Sequence, residues 1–235
     1  MDTIFPLISA AVGYLIGSIS FSRVVVKLIS PGTDLKHFGY RDQQNNVFVE
    51  RLPTATTVSM ALGWKTGCAV SVMDMLKVFL PALIFKLLFP AQYYFLIAAV
   101  FGLIGNNWPG YYRFRGGSGI SAIYGGLLAV DPLAVPVTVI AGFAIGMILL
   151  RSMILAFVMP LLLLLPWFWF RTYDIAYLIY AASVILFYVA TLIPDIRKYL
   201  KAKETAPVSE RAVMESMPMG RGMLKMLNMM GLNKK

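Results

Sequence analysis

A single thiol and a single imidazole, Cys68 and His37, stand in a chain of 235 residues. One thiol cannot close an internal disulfide, and the pair cannot complete the ligand cage of a structural zinc. His37 follows Lys36 in a polar stretch, where an imidazole is ordinarily solvated, and no Ser-His-Asp arrangement suggests itself. Charge is scarce as well, at 14% of residues, and negative charge more so, with 11 Asp and Glu against 21 Lys and Arg. With so little acid–base and nucleophilic equipment, any reaction has to rest on positioning and charge stabilisation of a substrate that is already activated. No catalytic residue can be named from the pattern, and neither a metal nor another cofactor is expected.

Apolar residues are what the chain has in excess: 59% even without glycine, against roughly 45–50% with glycine in soluble domains. Bilayer hydrocarbon about 30 Å thick asks for about 20 apolar residues per helix. Runs of this kind lie near 4–29, 67–89, 92–105, 119–130, 133–150, 153–170 and 174–193. The expectation is an all-α, polytopic membrane helix bundle of about seven transmembrane helices in the cell membrane. Asp131-Pro132 divides the fourth run from the fifth; a single kinked helix over 119–150 would reduce the count to six. The positive-inside rule favours seven, with the N-terminus outside and the C-terminus cytoplasmic. Lys36, Arg41, Arg51, Lys65, Arg113, Arg115, Arg151, Arg197, Lys198, Lys201 and Lys203 then gather in the cytoplasm, leaving Lys86 and Arg171 as exceptions. Membrane orientation thus explains the net charge of +10 better than nucleic acid does, because the basic residues lie between apolar runs. The first run begins at Ile4 after only Asp2; lacking the positive flank of a secretory signal, it is expected to remain as a span.

Two polar connections face the cytoplasm in this arrangement, a long one over 30–66 and a compact one over 106–118. Residues 1–204 are expected to form the membrane domain and 205–235 a basic, Met-rich cytoplasmic tail, either a short interfacial helix or disordered. Gly13–Gly17 and Gly142–Gly146 have the GxxxG spacing, whose ordinary role is close helix packing.

The sharpest chemical signal is Arg113-Phe-Arg115-Gly116-Gly117-Ser118-Gly119, which ends a loop and opens an apolar helix. Glycines leave backbone N–H groups free to point at an anion, the helix N-terminus adds partial positive charge, and two arginines add full charges, which suits a phosphate. The plainer alternative is a glycine turn whose arginines anchor the helix at the interface. Asp74 and Lys77 lie three residues apart on one face of the second run, where an unpaired charge would be costly, so they pair or line a polar cavity. Ser18, in Gly17-Ser-Ile-Ser20, has packing as its ordinary role.

Taken in order, these segments resemble the bacterial membrane family of acyl-phosphate:glycerol-3-phosphate acyltransferases. Gly13-Tyr-Leu-Ile-Gly-Ser-Ile-Ser20 is similar to the family's G-Y-L-x-G-S-I-P, and Asp34-Leu-Lys36 to the D-I-R that follows. Thr54-Ala-Thr-Thr-Val58 through Leu62-Gly63 resembles G-A-T-N-V…L-G, Asp74-Met-Leu-Lys77 resembles D-x-x-K, and Gly105-Asn-Asn-Trp-Pro109 resembles G-H-N-F-P. Arg113 to Ile120 is similar to F-K-G-G-K-G-V, and Asp195-Ile-Arg-Lys198 through Glu204 to N-I-x-R-L-x-x-G-x-E, so the resemblance covers about residues 10–204. It implies a seven-helix enzyme that transfers a fatty acyl group from acyl phosphate to the sn-1 hydroxyl of glycerol-3-phosphate, or of a related phosphorylated alcohol, giving lysophosphatidic acid among the membrane lipids. It also implies substrate binding by Ser18, Lys77, Asn106, Arg115, Gly116, Gly117 and Ser118, with no covalent intermediate.

The departures fall on polar positions. Asn106 stands where the family has His, Ser118 where it has Lys, Met60 where it has Arg and Thr57 where it has Asn. The family's G-S-G-N element is replaced by a longer stretch, Tyr40-Arg-Asp-Gln-Gln-Asn-Asn46; Ile154 and Phe157 replace serines of a late S-L-x-S motif, and an apolar residue near Leu192 replaces a histidine. Arg41, Arg51, Lys65 and Arg151 are the cations available to compensate. Two readings follow: a divergent acyltransferase, or a non-catalytic relative that binds lipid phosphate or a membrane partner.

Overall fold

The computed structural model describes residues 4–33, 40–41, 47–48, 54–149 and 153–205. Asp34, Lys36, His37, Arg51, Arg151 and the tail from 206 onward therefore lie outside the described residues. So do the side chains of Arg41, Ile154, Phe157 and the basic run 197–203.

The chain forms α1 (Ile4–Gly17), α2 (Phe21–Ile29), a two-residue antiparallel ladder of β1 (Tyr40–Arg41) and β2 (Val47–Phe48), α3 (Ala55–Leu62), α4 (Trp64–Leu88), α5 (Tyr94–Asn107), α6 (Ile120–Val130), α7 (Ala134–Ala144), α8 (Met153–Leu162), α9 (Leu164–Thr172) and α10 (Ile175–Thr205). Three helical stretches are long and apolar enough to cross a bilayer: Ile4–Ile29, Trp64–Leu88 and Ile175–Ile193. Shorter apolar helices cover Ile120–Val130, Ala134–Met147 and Val158–Thr172. Between α6 and α7, Asp131 is extended, with φ −147° and ψ 103°, so 119–150 is two helices and not one kinked one.

Chain contacts divide the molecule into two units, Met1–Phe21 with Ser71–Thr191 and Ser22–Val70 with Leu192–Lys235. The second holds a helix that the polar composition of 30–66 conceals. Thr54 caps α3 through a reciprocal box: its Oγ1 accepts from the Thr57 amide at 3.1 Å, while Thr57 Oγ1 accepts from the Thr54 amide at 3.0 Å.

In the first unit α1 lies directly on α5. A Cβ added at Gly13 or Gly17 would run into the backbone of Ala98 or Gly102, so the first GxxxG serves close packing. The second does the same at Gly142, which faces the backbone nitrogen and ring of Pro160 in α8. Both cations that break the loop pattern are engaged at the C-terminal end of α6. Lys86 Nζ donates to the last carbonyls of that helix, Ala129 and Val130, at 2.8 Å each, and lies 5.6 Å from the Phe95 ring. Arg171 Nε is 3.7 Å from Asp131 Oδ2, which also accepts from Trp167 Nε1 at 3.0 Å. Beside them Tyr93 donates its hydroxyl to Asp174 at 2.5 Å, and this bond holds the exposed Asp174 carboxyl below the usual carboxylate range.

Candidate phosphate-binding site

The loop between α5 and α6 is built on backbone bonds. Tyr14 of α1 donates its hydroxyl to the Trp108 carbonyl at 3.0 Å, fixing the corner where α5 ends. Pro109 then opens a single 3₁₀ turn, Gly110–Tyr112, and its carbonyl accepts from Tyr112 and Phe114 at 3.1 and 3.0 Å. Arg113 and Phe114 both take positive φ, 53° and 58°, a conformation that costs a side-chain-bearing residue about 1–2 kcal/mol. That strain turns the chain back toward α5. Gly116 follows, buried so tightly that a Cβ would collide with the carbonyl oxygens of Asn106 and Asn107, and the Gly117 amide donates to the Asn106 carbonyl at 3.2 Å. Gly119, with φ 85°, caps α6 without any side-chain hydrogen bond.

This geometry sorts the predicted residues. The Gly117 N–H is occupied by Asn106, whereas those of Gly116, Ser118, Gly119, Ile120, Ser121 and Ala122 donate to no group among the described residues. Arg113 and Arg115 are exposed, and Ser118, next to the Gly119 cap, is half-buried. Asn106 is half-buried, with its Nδ2 donating to Asn107 Oδ1 at 3.2 Å. Asn107 itself is fully buried, and its Nδ2 has no partner among the described residues. Its signal in the chain is its place in Gly105-Asn-Asn-Trp-Pro109, where it matches the Asn of the family's G-H-N-F-P.

Lys77 and Ser18 belong to a neighbouring feature. The helical ladder of the first apolar run breaks at Ser18–Ser20, between α1 and α2, which leaves carbonyls without partners. Lys77 Nζ fills one of these vacancies, donating to the Ile19 carbonyl at 2.7 Å and to Asp74 Oδ1 at 2.6 Å, 5.9 Å from the Phe21 ring. Its side chain is 3% exposed and that of Asp74 13%, so the pair lies almost wholly out of water. No hydrogen bond joins Lys77 to the glycine loop among the described residues. The Ser18 hydroxyl is buried and has no partner among the described residues, and the residue's backbone nitrogen lies against Gly105.

Cavity volume points elsewhere than chemistry. An open apolar cavity of about 680 Å³, bounded by Lys86, Phe95 and Tyr177, and one of about 340 Å³ beside Trp167 and Arg171, lie toward the C-terminal end of α6. That is about 16 Å from the glycine loop along an 11-residue helix. Neither is lined by the loop's unpaired amides, so the candidate site is placed on the donors and not on the larger voids.

Fold and site together define the class: an integral, multi-pass membrane protein with a glycine turn and unpaired amides, among the described residues, at the N-terminus of α6. The chain belongs to the glycerol-3-phosphate acyltransferase family, whose sequence model matches residues 7–202. Among its relatives, the glycerol-3-phosphate acyltransferase of Mycoplasma capricolum is 33% identical over 143 residues, 58% of this chain and 51% of the relative. That of Aquifex aeolicus is 36% identical over 133 residues, 56% and 62% of the two chains. That of Halalkalibacterium halodurans is 32% identical over 174 residues, 70% and 77%. The chain spans between 51% and 64% of the length of several of the curated relatives it matches. The solved integral membrane glycerol 3-phosphate acyltransferase PlsY (YgiH), in its glycerol 3-phosphate form, superimposes with a TM-score of 0.68 at 26% identity, over 84% of this chain and 93% of that one. Its lysophosphatidic acid form gives 0.67 over the same shares.

Proposed function

We propose that the chain is an acyltransferase that moves a fatty acyl group from acyl phosphate to the sn-1 hydroxyl of glycerol-3-phosphate. The hydroxyl oxygen bonds to the acyl carbon, the bond from that carbon to the phosphate oxygen breaks, and inorganic phosphate leaves with the hydroxyl proton. The products are lysophosphatidic acid and phosphate. The observation that carries the proposal is the set of unpaired amides at the N-terminus of α6 under a glycine turn, flanked by Arg113 and Arg115. Arg115, Gly116, Gly117, Ser118 and Asn106 form the phosphate end of the site. Lys77 holds the broken first helix, and Ser18 presents an unpaired hydroxyl there. A mixed anhydride needs no covalent enzyme intermediate, which suits a chain so poor in nucleophile–base pairs.

One observation favours the second reading, a non-catalytic phosphate-binding relative: Ser118 and Asn106 bring no cation where the family pattern has Lys and His. Purified protein given palmitoyl phosphate and glycerol-3-phosphate decides between them, with lysophosphatidic acid read by mass spectrometry. Product at a slow rate, below about 1 per second against a median enzyme near 10 per second, is the expected result. Phosphate binding without product at any protein concentration would leave only the second reading.

The same proposal includes seven crossings, an external N-terminus and a cytoplasmic C-terminus, with 1–204 as the membrane domain and 205–235 as a basic tail. Its support is the placement of Lys and Arg in alternate connections, now that both exceptions, Lys86 and Arg171, have local partners. A C-terminal reporter is expected to be active only when it folds in the cytoplasm; activity confined to an exported reporter would overturn the orientation.

A further inference from the structure

Three buried polar side-chain atoms lack a partner among the described residues: Ser18 Oγ, Tyr180 Oη and Asn107 Nδ2. Tyr180 faces Gly126 within α6 and Ser18 faces α5, both inside helix contacts. Asn107 differs, because it sits at a helix end. A Cβ built on Gly119, the N-cap of α6, would collide with Asn107 Oδ1 and come within 3.0 Å of its Nδ2, so the Asn107 amide takes the space that the missing Cβ leaves. The side-chain amide therefore stands against the same N-terminus whose amides from Ser118 to Ala122 are unpaired.

We infer that Asn107 is a phosphate-binding residue, its Nδ2 donating to an oxygen of the phosphate monoester held at the N-terminus of α6. Its orientation follows from its neighbour. Asn107 Oδ1 accepts from Asn106 Nδ2 at 3.2 Å, which leaves the Nδ2 end as the one to be satisfied. A donor that is fully buried and unpaired is rare in folded proteins and calls for a partner. A helix N-terminus places an anion there. The donor is neutral, so where Ser118 has taken the family's lysine position the phosphate is met by converging N–H groups, with the exposed Arg115 nearby in the chain. The bland competitor is a bound water that satisfies Nδ2 and nothing more.

Because the inference rests on the phosphate site proposed above, the experiment has to separate the two. Binding of glycerol-3-phosphate and of inorganic phosphate is measured by calorimetry on detergent-purified parent, Asn107→Leu and Asn107→Asp. Leucine matches asparagine in shape and removes the donor; aspartate puts an acceptor in its place. Folding is checked by gel filtration and thermal unfolding, and should Asn107→Leu fail to fold, Asn107→Asp carries the test. The expected result is that Asn107→Leu keeps the parent melting temperature or exceeds it while binding both anions at least about tenfold more weakly, and that Asn107→Asp weakens binding further. Folded variants that bind within twofold of the parent would overturn the inference and leave the phosphate site standing, with water as the partner of Nδ2. A parent that binds neither anion would overturn the phosphate site and the inference together.

Discussion

Ser118→Lys is expected to raise the kcat/KM of acyl transfer to glycerol-3-phosphate by about tenfold to a hundredfold, the equivalent of one charge-assisted hydrogen bond of about 1.5–3 kcal/mol. The position is half-buried, between the glycine turn and the Gly119 cap of α6, so a lysine stem there brings an ammonium to the mouth of the unpaired amides. Two phosphates have to meet in the proposed reaction, and their repulsion is offset by whatever positive charge is fixed around them. Ser118→Met, with a long stem and no charge, is the control and should not exceed the parent rate. Equal rates for all three proteins would mean that the cation comes from elsewhere, and Lys65→Ala or Arg51→Ala should then abolish turnover without unfolding the protein.

The second large effect concerns stability. Lys77→Met should cost about 3–5 kcal/mol, because it strands the Asp74 carboxylate in a region shielded from water and strips the Ile19 carbonyl of its donor. The double variant Asp74→Asn/Lys77→Met should recover most of that loss, since a neutral amide no longer demands a counter-charge. Thermal unfolding in detergent reads both. If the single and double variants melt alike, the pair is not a coupled unit. A drop in activity with an unchanged melting temperature would instead move Lys77 into the substrate site.

Much of the helical layout was legible in the chain because bilayer hydrocarbon imposes a length on apolar runs. The run expected at 67–89 is the helix Trp64–Leu88, that at 119–130 is Ile120–Val130, and that at 174–193 begins the helix Ile175–Thr205. Hydropathy is blind to interruptions whose residues are themselves small or apolar. Hence 4–29 was read as continuous although it breaks at Ser18–Ser20, and 153–170 hides a boundary between α8 and α9 at Leu163. The helix α3 was missed for the opposite reason: its neighbours are polar, and its one local signal, Thr54 with Thr57 three residues on, lacks the Glu or Gln of the commoner capping box.

The candidate site was partly legible for a similar reason. Gly116-Gly117 before an apolar helix announces free amides, yet spacing alone cannot tell which amide is already taken; only the fold brings the Asn106 carbonyl onto Gly117. Asn107 is legible only as a motif match, because its meaning lies in a contact with Gly119, twelve residues away and across a strained turn. Lys86 and Arg171 stand out as exceptions to a rule of loop charge, a rule that counts residues and knows nothing of partners 40 or more positions away.

The bond from Lys86 to the end of α6 also has a history in time. Its acceptors, the carbonyls of Ala129 and Val130, lie 43 and 44 residues further along the chain. At about 5–20 residues per second, a ribosome needs several seconds to make them after Lys86 has emerged. Asp74, by contrast, is synthesised before Lys77 and is ready to neutralise it as soon as one helical turn forms. Until then the ammonium lacks the partners it has in the folded chain, and its long aliphatic stem is what lets such a group reach water from an apolar helix. The folded place of Lys86 thus depends on a helix made well after its own, and the end of α6 acts as the latch on α4.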